Sequence, residues 1–186
     1  MTNVKEGWRG RFLEDFEVGD VYRCRYGRTI TEADNIQFTL LTNNTHQVHF
    51  NREYGRETEW GQCLVNSLLT LSVATGMGVT DVSENGIALG WDSVRLTHPL
   101  FPGDTLYVEN EVMNKRPSAS RPDQGIVKVG TRGYNQHGDL VIEFVRSVLV
   151  WTRNTGPSSA QFPTPKGLRP GDRRSAKLGS RQRGGP

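Results

Sequence analysis

Residues 65–79, VNSLLTLSVATGMGV, decide the fold. Wound at 3.6 residues per turn, Leu68, Leu69, Leu71, Val73, Ala74 and Met77 cover nearly every face of a helix. A helix apolar all round has no face to give to water, so it is expected to lie buried inside another element. Asn66 or Ser67 caps its start, and Gly76 and Gly78 mark its end.

The enclosing element lies downstream. Residues 86–100, 104–116, 125–138 and 139–153 are long β-type runs. Alternation is plain in Leu106, Val108, Val112 and in Leu140, Ile142, Phe144, Val148, Val150. Residues 135–139 (NQHGD) form a hairpin turn, 101–105 (FPGDT) another turn, and 115–125 (KRPSASRPDQG) a longer, mobile loop. Upstream, 15–30 (DFEVGDVYRCRYGRTI) has the Gly-Asp turn and flanks of an opening strand pair. Thr31 followed by Asp34 caps a helix of about three turns, along which Ile36, Leu40 and Leu41 return at helical spacing. A short strand pair, helices and four long antiparallel strands predict an α+β domain whose curved sheet wraps the apolar helix.

The chain has 186 residues, enough for one domain and short for two. Its net charge of +3 is unevenly placed. From residue 154 onward seven basic residues face one acidic, Asp172, so residues 1–153 are net acidic. That tail, rich in Pro, Gly, Ser and Arg, is read as a disordered extension of a domain spanning 1–153. The pI near 9.0 therefore describes the tail, and the body lacks the interleaved basic and aromatic residues of a nucleic-acid binder. Cys24 and Cys63 form no CxxC and no metal-ligand spacing, which favours two buried thiols in a reducing cytoplasm over one disulfide. No apolar run approaches the roughly 20 residues that span a bilayer, and residues 1–12 hold no signal peptide, so a soluble cytoplasmic protein without a membrane partner is expected.

Between the two helices lies TNNTHQVHFN, residues 42–51, with His46 and His49 three residues apart. It is either a wet surface loop or a site where imidazole and amide act together. The surroundings resemble the MaoC-like dehydratases, the (R)-specific enoyl-CoA hydratases of the hot-dog fold. The resemblance runs over residues 12–153: FLEDFEVGD and TITEADNIQF at the start, PLFPGDTLYVENEV and NQHGDLVIEF in the last strands. The family's Asp-x-Asn-Pro-x-His motif corresponds to Asn44, Thr45, His46, Gln47, Val48 and His49. His49 is retained; Asn44 replaces Asp, His46 replaces Asn and Gln47 replaces Pro. Where the family's helix opens with His-Gly-Met, this one begins at Asn66 and Ser67. The variant is similar to the branch acting on itaconyl-, mesaconyl- or β-methylmalyl-CoA.

That resemblance implies hydration of an enoyl thioester, which needs a base for water, an acid for Cα and donors for the enolate oxygen. His49 fits the proton-transfer role, since imidazole gives and takes protons near neutrality. Asn44 can hold water but cannot accept its proton. Four accounts stay open: His49 acts as base and then acid with Asn44 positioning water; His46 supplies the second titrating group; a substrate carboxylate takes the missing role; or catalysis is lost. The oxyanion donors are expected to be backbone N–H groups near Asn66 and Ser67, with the Asn66 side chain also within reach of substrate.

For the free carboxylate of a dicarboxylic acid Arg95 is the first candidate, followed by Arg52 and Arg56. Lys115, Arg116 and Arg121 are candidates for CoA phosphates, while His98 and His137 read as structural. No metal, Gly-rich phosphate loop or nucleophile motif is present, and no cofactor is expected beyond the CoA of the substrate. The resemblance further implies a homodimer joined sheet edge to sheet edge. The competing readings are a hot-dog thioesterase and a non-catalytic acyl-CoA-binding protein.

Overall fold

The computed structural model describes residues 5 and 7–157. Almost all of the basic tail expected from residue 154 thus lies outside the described residues. Four long strands carry the domain: β3 Gly86–Leu96, β4 Thr105–Pro117, β5 Gln124–Tyr134 and β6 Leu140–Trp151. Two short strands, β1 Val21–Arg23 and β2 Arg28–Thr29, precede them, with helices α1 Glu32–Leu41, α2 Arg52–Arg56 and α3 Ser67–Met77 between. The sheet runs β1-β4-β5-β6-β3, every pair antiparallel, with β2 also on β4.

The opening strand pair is corrected. β1 and β2 do not pair with each other. Val21 faces Glu111, Arg23 faces Glu109, Arg28 faces Leu106 and Thr29 faces Thr105, so both run the same way along β4 as one interrupted edge strand. The Gly-Asp turn precedes β1, with Gly19 at φ +97°, a left-handed conformation that suits glycine. The loop after β4 is shorter than expected, because Pro117 still pairs with Gly125 and the Ser118 N–H donates to the Gln124 carbonyl at 3.0 Å.

Alternation along the strands buries one face of the sheet, as the period of two requires. Leu106, Val108, Ile142 and Phe144 pack with Leu69, Ala74 and Met77 of α3 in one core cluster; Val112, Val127, Val129, Val148 and Val150 pack with Leu13 and Phe16 in another. The two positions that break the apolar alternation, Asn110 and Arg146, are buried as well, and with Thr131 they lay a polar band between the clusters. Thr131 Oγ1 donates to Asn110 Oδ1 at 2.9 Å, and Arg146 Nη1 donates to the Thr75 carbonyl at 3.4 Å near the C-terminal end of α3. A cation there meets the negative end of the helix dipole. Desolvation nevertheless pushes the Arg146 pKa down to about 10, and its Nε has no partner among the described residues.

Both helices expected from periodicity form, but their exposed and buried faces differ from the expectation. Thr31 and Asp34 make a complete capping box on α1. Its apolar residues Leu40 and Leu41 face out, 59% and 82% exposed, while Asn35 and Thr39, four residues apart on one face, are fully buried. In α3 the cap is Asn66, whose Oδ1 accepts from the Leu68 N–H at 3.0 Å, and Ser67 is the first helical residue. The helix is not enclosed all round: Leu68 is 58% exposed, because the sheet of this chain covers one face only. Cys63 is buried, Cys24 half-buried, and both are free thiols. Among the described residues no helix is long and apolar enough to cross a membrane.

The two ends of α3 are testable separately. At Gly78 (φ −81°) the requirement is space, not backbone freedom: a Cβ would sit 2.5 Å from Arg146 Nη2 and 3.0 Å from Asn110 Oδ1. Gly78→Ala is expected to destabilise the fold by about 1–3 kcal/mol in urea denaturation, as overpacking does. Asn66→Ala removes the cap and is expected to cost about 1–2 kcal/mol by the same measurement.

Candidate functional site

The loop carrying both histidines is built by the end of α1. Asn43 takes a left-handed φ of +54°, and Asn44 N–H donates to the Thr39 carbonyl at 3.0 Å, which reverses the chain out of the helix. Asn44 Oδ1 then accepts the His46 N–H at 2.9 Å. A single turn of tight helix, Gln47–His49, follows, anchored by the buried side chain of Val48. Asn51 caps α2 by accepting from the N–H groups of Glu53 and Tyr54.

His49 is half-buried, and its ring nitrogen Nδ1 lies 3.0 Å from the Leu64 carbonyl. A carbonyl only accepts, so in neutral imidazole the proton of this bond is on Nδ1 and the lone pair is on Nε2. Leu64 stands two residues before the α3 cap. Its N–H donates to the Val48 carbonyl at 3.0 Å, and the Val65 N–H donates to the Leu100 carbonyl at 2.8 Å, so the approach to the cap is fixed from two sides. His46 is exposed; its ring centre is 5.9 Å from that of His49 and 5.9 Å from that of Tyr54, an aromatic cluster at the loop surface.

Asn66 and Ser67 divide differently than the sequence implies. Asn66 is buried and spent: its N–H donates to Asn35 Oδ1 at 2.8 Å, its Nδ2 to Thr39 Oγ1 at 3.1 Å, and its Oδ1 accepts from Leu68. Its backbone groups are both committed, and its side chain, with one Nδ2 hydrogen uncommitted, is 2% exposed. Thr70 N–H begins the helical ladder on the Asn66 carbonyl at 3.0 Å. Among the described residues the first-turn donors left over are the N–H groups of Ser67 and Leu69, at the positive end of the helix dipole. A cavity of about 260 Å³ opens here, lined by Leu64, Val65, Ser67, Thr70, Trp60 and His98 among others.

Arg95 is not brought to that cavity. It lies on β3, bonds Glu143 at 3.2 Å, and lines a separate cavity of about 240 Å³ with Glu111 and Arg132. Arg52 is held by Glu32, whose carboxyl it keeps below the usual carboxylate range, and Arg56 pairs with Glu53 at 2.5 Å. Lys115 donates to the Phe16 carbonyl at 2.6 Å and Arg121 to Gln124 Oε1 at 3.2 Å. His98 instead lines the cap cavity, 3.7 Å from Asp139, and is the lining side chain able to carry a positive charge. Sequence reasoning missed Asn35, Thr39 and the Leu64 carbonyl. The spacing of Asn35 and Thr39 was visible, but nothing in it distinguishes a buried polar pair from a solvated face. Among the described residues no group of three His, Cys, Asp or Glu is placed to hold a metal ion.

Known proteins are similar to this chain in sequence and in fold. The chain is 33% identical to mesaconyl-CoA hydratase of Cereibacter sphaeroides over 157 residues, covering 84% of this chain and 45% of that protein. It is 30% identical to β-methylmalyl-CoA dehydratase of Chloroflexus aurantiacus, covering 84% and 44%. It thus spans less than half the length of both curated relatives. A Mycobacterium tuberculosis protein described as having a double hot-dog fold superposes with a TM-score of 0.71 at 19% identity, over 78% of this chain and 46% of that one, a likeness of fold. The sheet curved over α3 is accordingly a single hot-dog fold. Residues 15–134 match the MaoC like domain, and the chain belongs to that family.

Proposed function

We propose that the protein adds water reversibly to the double bond of an enoyl-CoA thioester, with a short branched dicarboxylic acyl group of the mesaconyl or itaconyl type. The observation that carries this reading is the His49 Nδ1 bond to Leu64, two residues before the α3 cap, which leaves the Nε2 lone pair free as a base. In the hydration direction Nε2 takes a proton from water as the water oxygen bonds to Cβ. The π electrons of the double bond shift toward the thioester, and the enolate oxygen is met by the Ser67 and Leu69 N–H groups. The imidazolium then returns a proton to Cα, so one residue serves as base and acid.

Asn44 supports this division of labour, since an amide accepts no proton and its oxygen is occupied by the His46 N–H. The cavity at the cap, whose lining includes Ser67 and His98 but neither His49 nor Leu69, is assigned to the acyl group, with His98 near its free carboxylate. The names of the two curated relatives, a mesaconyl-CoA hydratase and a β-methylmalyl-CoA dehydratase, support the substrate class.

A second copy of the chain is part of the proposal. β3 is a sheet edge of 11 residues on which Ile87, Leu89, Trp91, Val94 and Leu96 are 44–58% exposed. An edge so long and apolar is a template for further strand pairing. We assign it to a homodimer. Leu89→Lys is expected to shift the protein toward monomer in sedimentation equilibrium at micromolar concentration; an unchanged species would remove β3 from the interface.

The chemistry is tested by following the conjugated enoyl thioester of mesaconyl-CoA in the ultraviolet, alongside release of free thiol. Loss of the chromophore without thiol release is expected, and thiol release would make the protein a thioesterase. His49→Ala is expected to lower kcat by about 100- to 10,000-fold. Binding without turnover in the unmodified protein would make it an acyl-CoA-binding protein. Asn44→Asp distinguishes positioning from proton transfer: a large gain in rate would show that the amide limits the reaction.

A further inference from the structure

We infer that Asn35, a residue that no substrate touches, is the positioning residue that sets the tautomer of His49 and ties the base to the oxyanion donors. The inference rests on the hydratase reading above for its catalytic consequence, but not for its structural content. Asn35 is fully buried on the inner face of α1. Its Nδ2 donates to the His49 carbonyl at 2.8 Å and to the Leu64 carbonyl at 2.9 Å. Its Oδ1 accepts the Asn66 N–H at 2.8 Å. One amide therefore holds the backbone of the base, the carbonyl that accepts the imidazole proton, and the cap of the helix whose first turn carries the free donors.

The shared Leu64 oxygen is the center of this arrangement. It receives two donors, Asn35 Nδ2 and His49 Nδ1, which uses both of its lone pairs. With Asn35 in place the carbonyl is held toward the imidazole, and Nδ1–H with a bare Nε2 is the tautomer that satisfies it. Without the amide donor the Leu64 peptide is still held by the Val65 bond to Leu100, but the His49 backbone is no longer tied to it, so the ring is free to leave the carbonyl. Both tautomers then become accessible, and the Nε2–H form presents a proton where a lone pair is needed. No side chain other than Asn or Gln supplies two donors and an acceptor from one planar group, and Gln is longer by a methylene. The buried polar residue on α1 is thus explained by what it holds, not by helix packing.

Asn35→Ala leaves the His49 carbonyl and the Asn66 N–H unpaired and risks the fold, so the decisive variant is Asn35→Asp, which keeps the shape and the acceptor and, as a carboxylate, loses the donors. Two readouts are taken. The first is the ring-nitrogen correlation spectrum of histidine-labelled protein, with the His49 signals assigned by their loss in His49→Ala. The second is kcat and KM on mesaconyl-CoA. The unmodified protein is expected to show His49 as the Nδ1–H tautomer, and Asn35→Asp to show it mixed or inverted. kcat is expected to fall by about 10- to 100-fold, the scale of a misplaced catalytic group, with KM within about two-fold. Gly78→Ala, at the other end of α3, serves as the control for lost stability: its Tm falls while its tautomer and kcat stay those of the unmodified protein. An unchanged tautomer in a folded Asn35→Asp overturns the proposal, as does a matching loss in the Gly78→Ala control. Absence of hydration by the unmodified protein refutes the hydratase reading alone, because the tautomer readout still decides the role of Asn35.

Discussion

The hydrogen bond from the Asn66 N–H to Asn35 Oδ1, 2.8 Å long and wholly buried, is the constraint on which the rest of the site depends. A buried polar group without a partner costs as much as several good contacts supply, so the dry interior tolerates few alternative pairings. Here the partners lie on three segments: α1, the histidine loop, and the approach to α3. Sliding α1 by one residue would leave the Asn66 N–H and the His49 carbonyl unmatched together and take one of two donors from the Leu64 carbonyl. The register of the site is thus specified by polar satisfaction, while apolar packing supplies the bulk of the stabilisation.

The opposite end of α3 uses the same currency for a different purpose. Asn110, Thr131 and Arg146 lie between the two apolar clusters, and Arg146 donates to a carbonyl in the last turn of the helix. A buried guanidinium with no carboxylate beside it among the described hydrogen bonds is costly, which is the meaning of its depressed pKa. Gly78 lets it approach: any side chain there would displace the guanidinium. One end of the helix is therefore pinned by charge and close packing. The other is left with two unsatisfied N–H groups. The anchorage at the far end serves stability, while the free donors at the near end are what a proposed oxyanion site needs.

Chemistry at the near end is economical. The motif position that carries a carboxylate in the family holds Asn44, whose oxygen is committed to the turn that presents His46. His46 itself lies out on the loop surface against Tyr54. In the proposed reaction a single imidazole, bonded to Leu64 through Nδ1, carries the proton both ways. The chain is also open along β3 and along the Leu68 face of α3. Both openings are apolar, and the curated relatives are more than twice as long as the matched segment. A second domain's worth of surface would cover these faces, and the homodimer proposed above would supply it.

Much of the fold was legible in residue order. The four long strands, the capping box of Thr31 and Asp34, the turns at Gly103 and Gly138, and the extent of α3 all follow from local rules of period, cap and backbone conformation. His49 was legible because a motif carried it. Local rules could not say which face of α1 turns inward, and apolarity pointed to Leu40 and Leu41, which are exposed. Nor could they show that Asn66 is consumed by the cap, that Arg95 faces a different cavity, or that β1 and β2 share one edge of β4. Residue order alone determined the elements and singled out the candidate imidazole, because period and motif are properties of short stretches. Tertiary structure alone decided which polar groups meet: Asn35, His49, Leu64 and Asn66 are separated by up to 31 residues, and only the folded interior, by excluding water, forces them to satisfy one another.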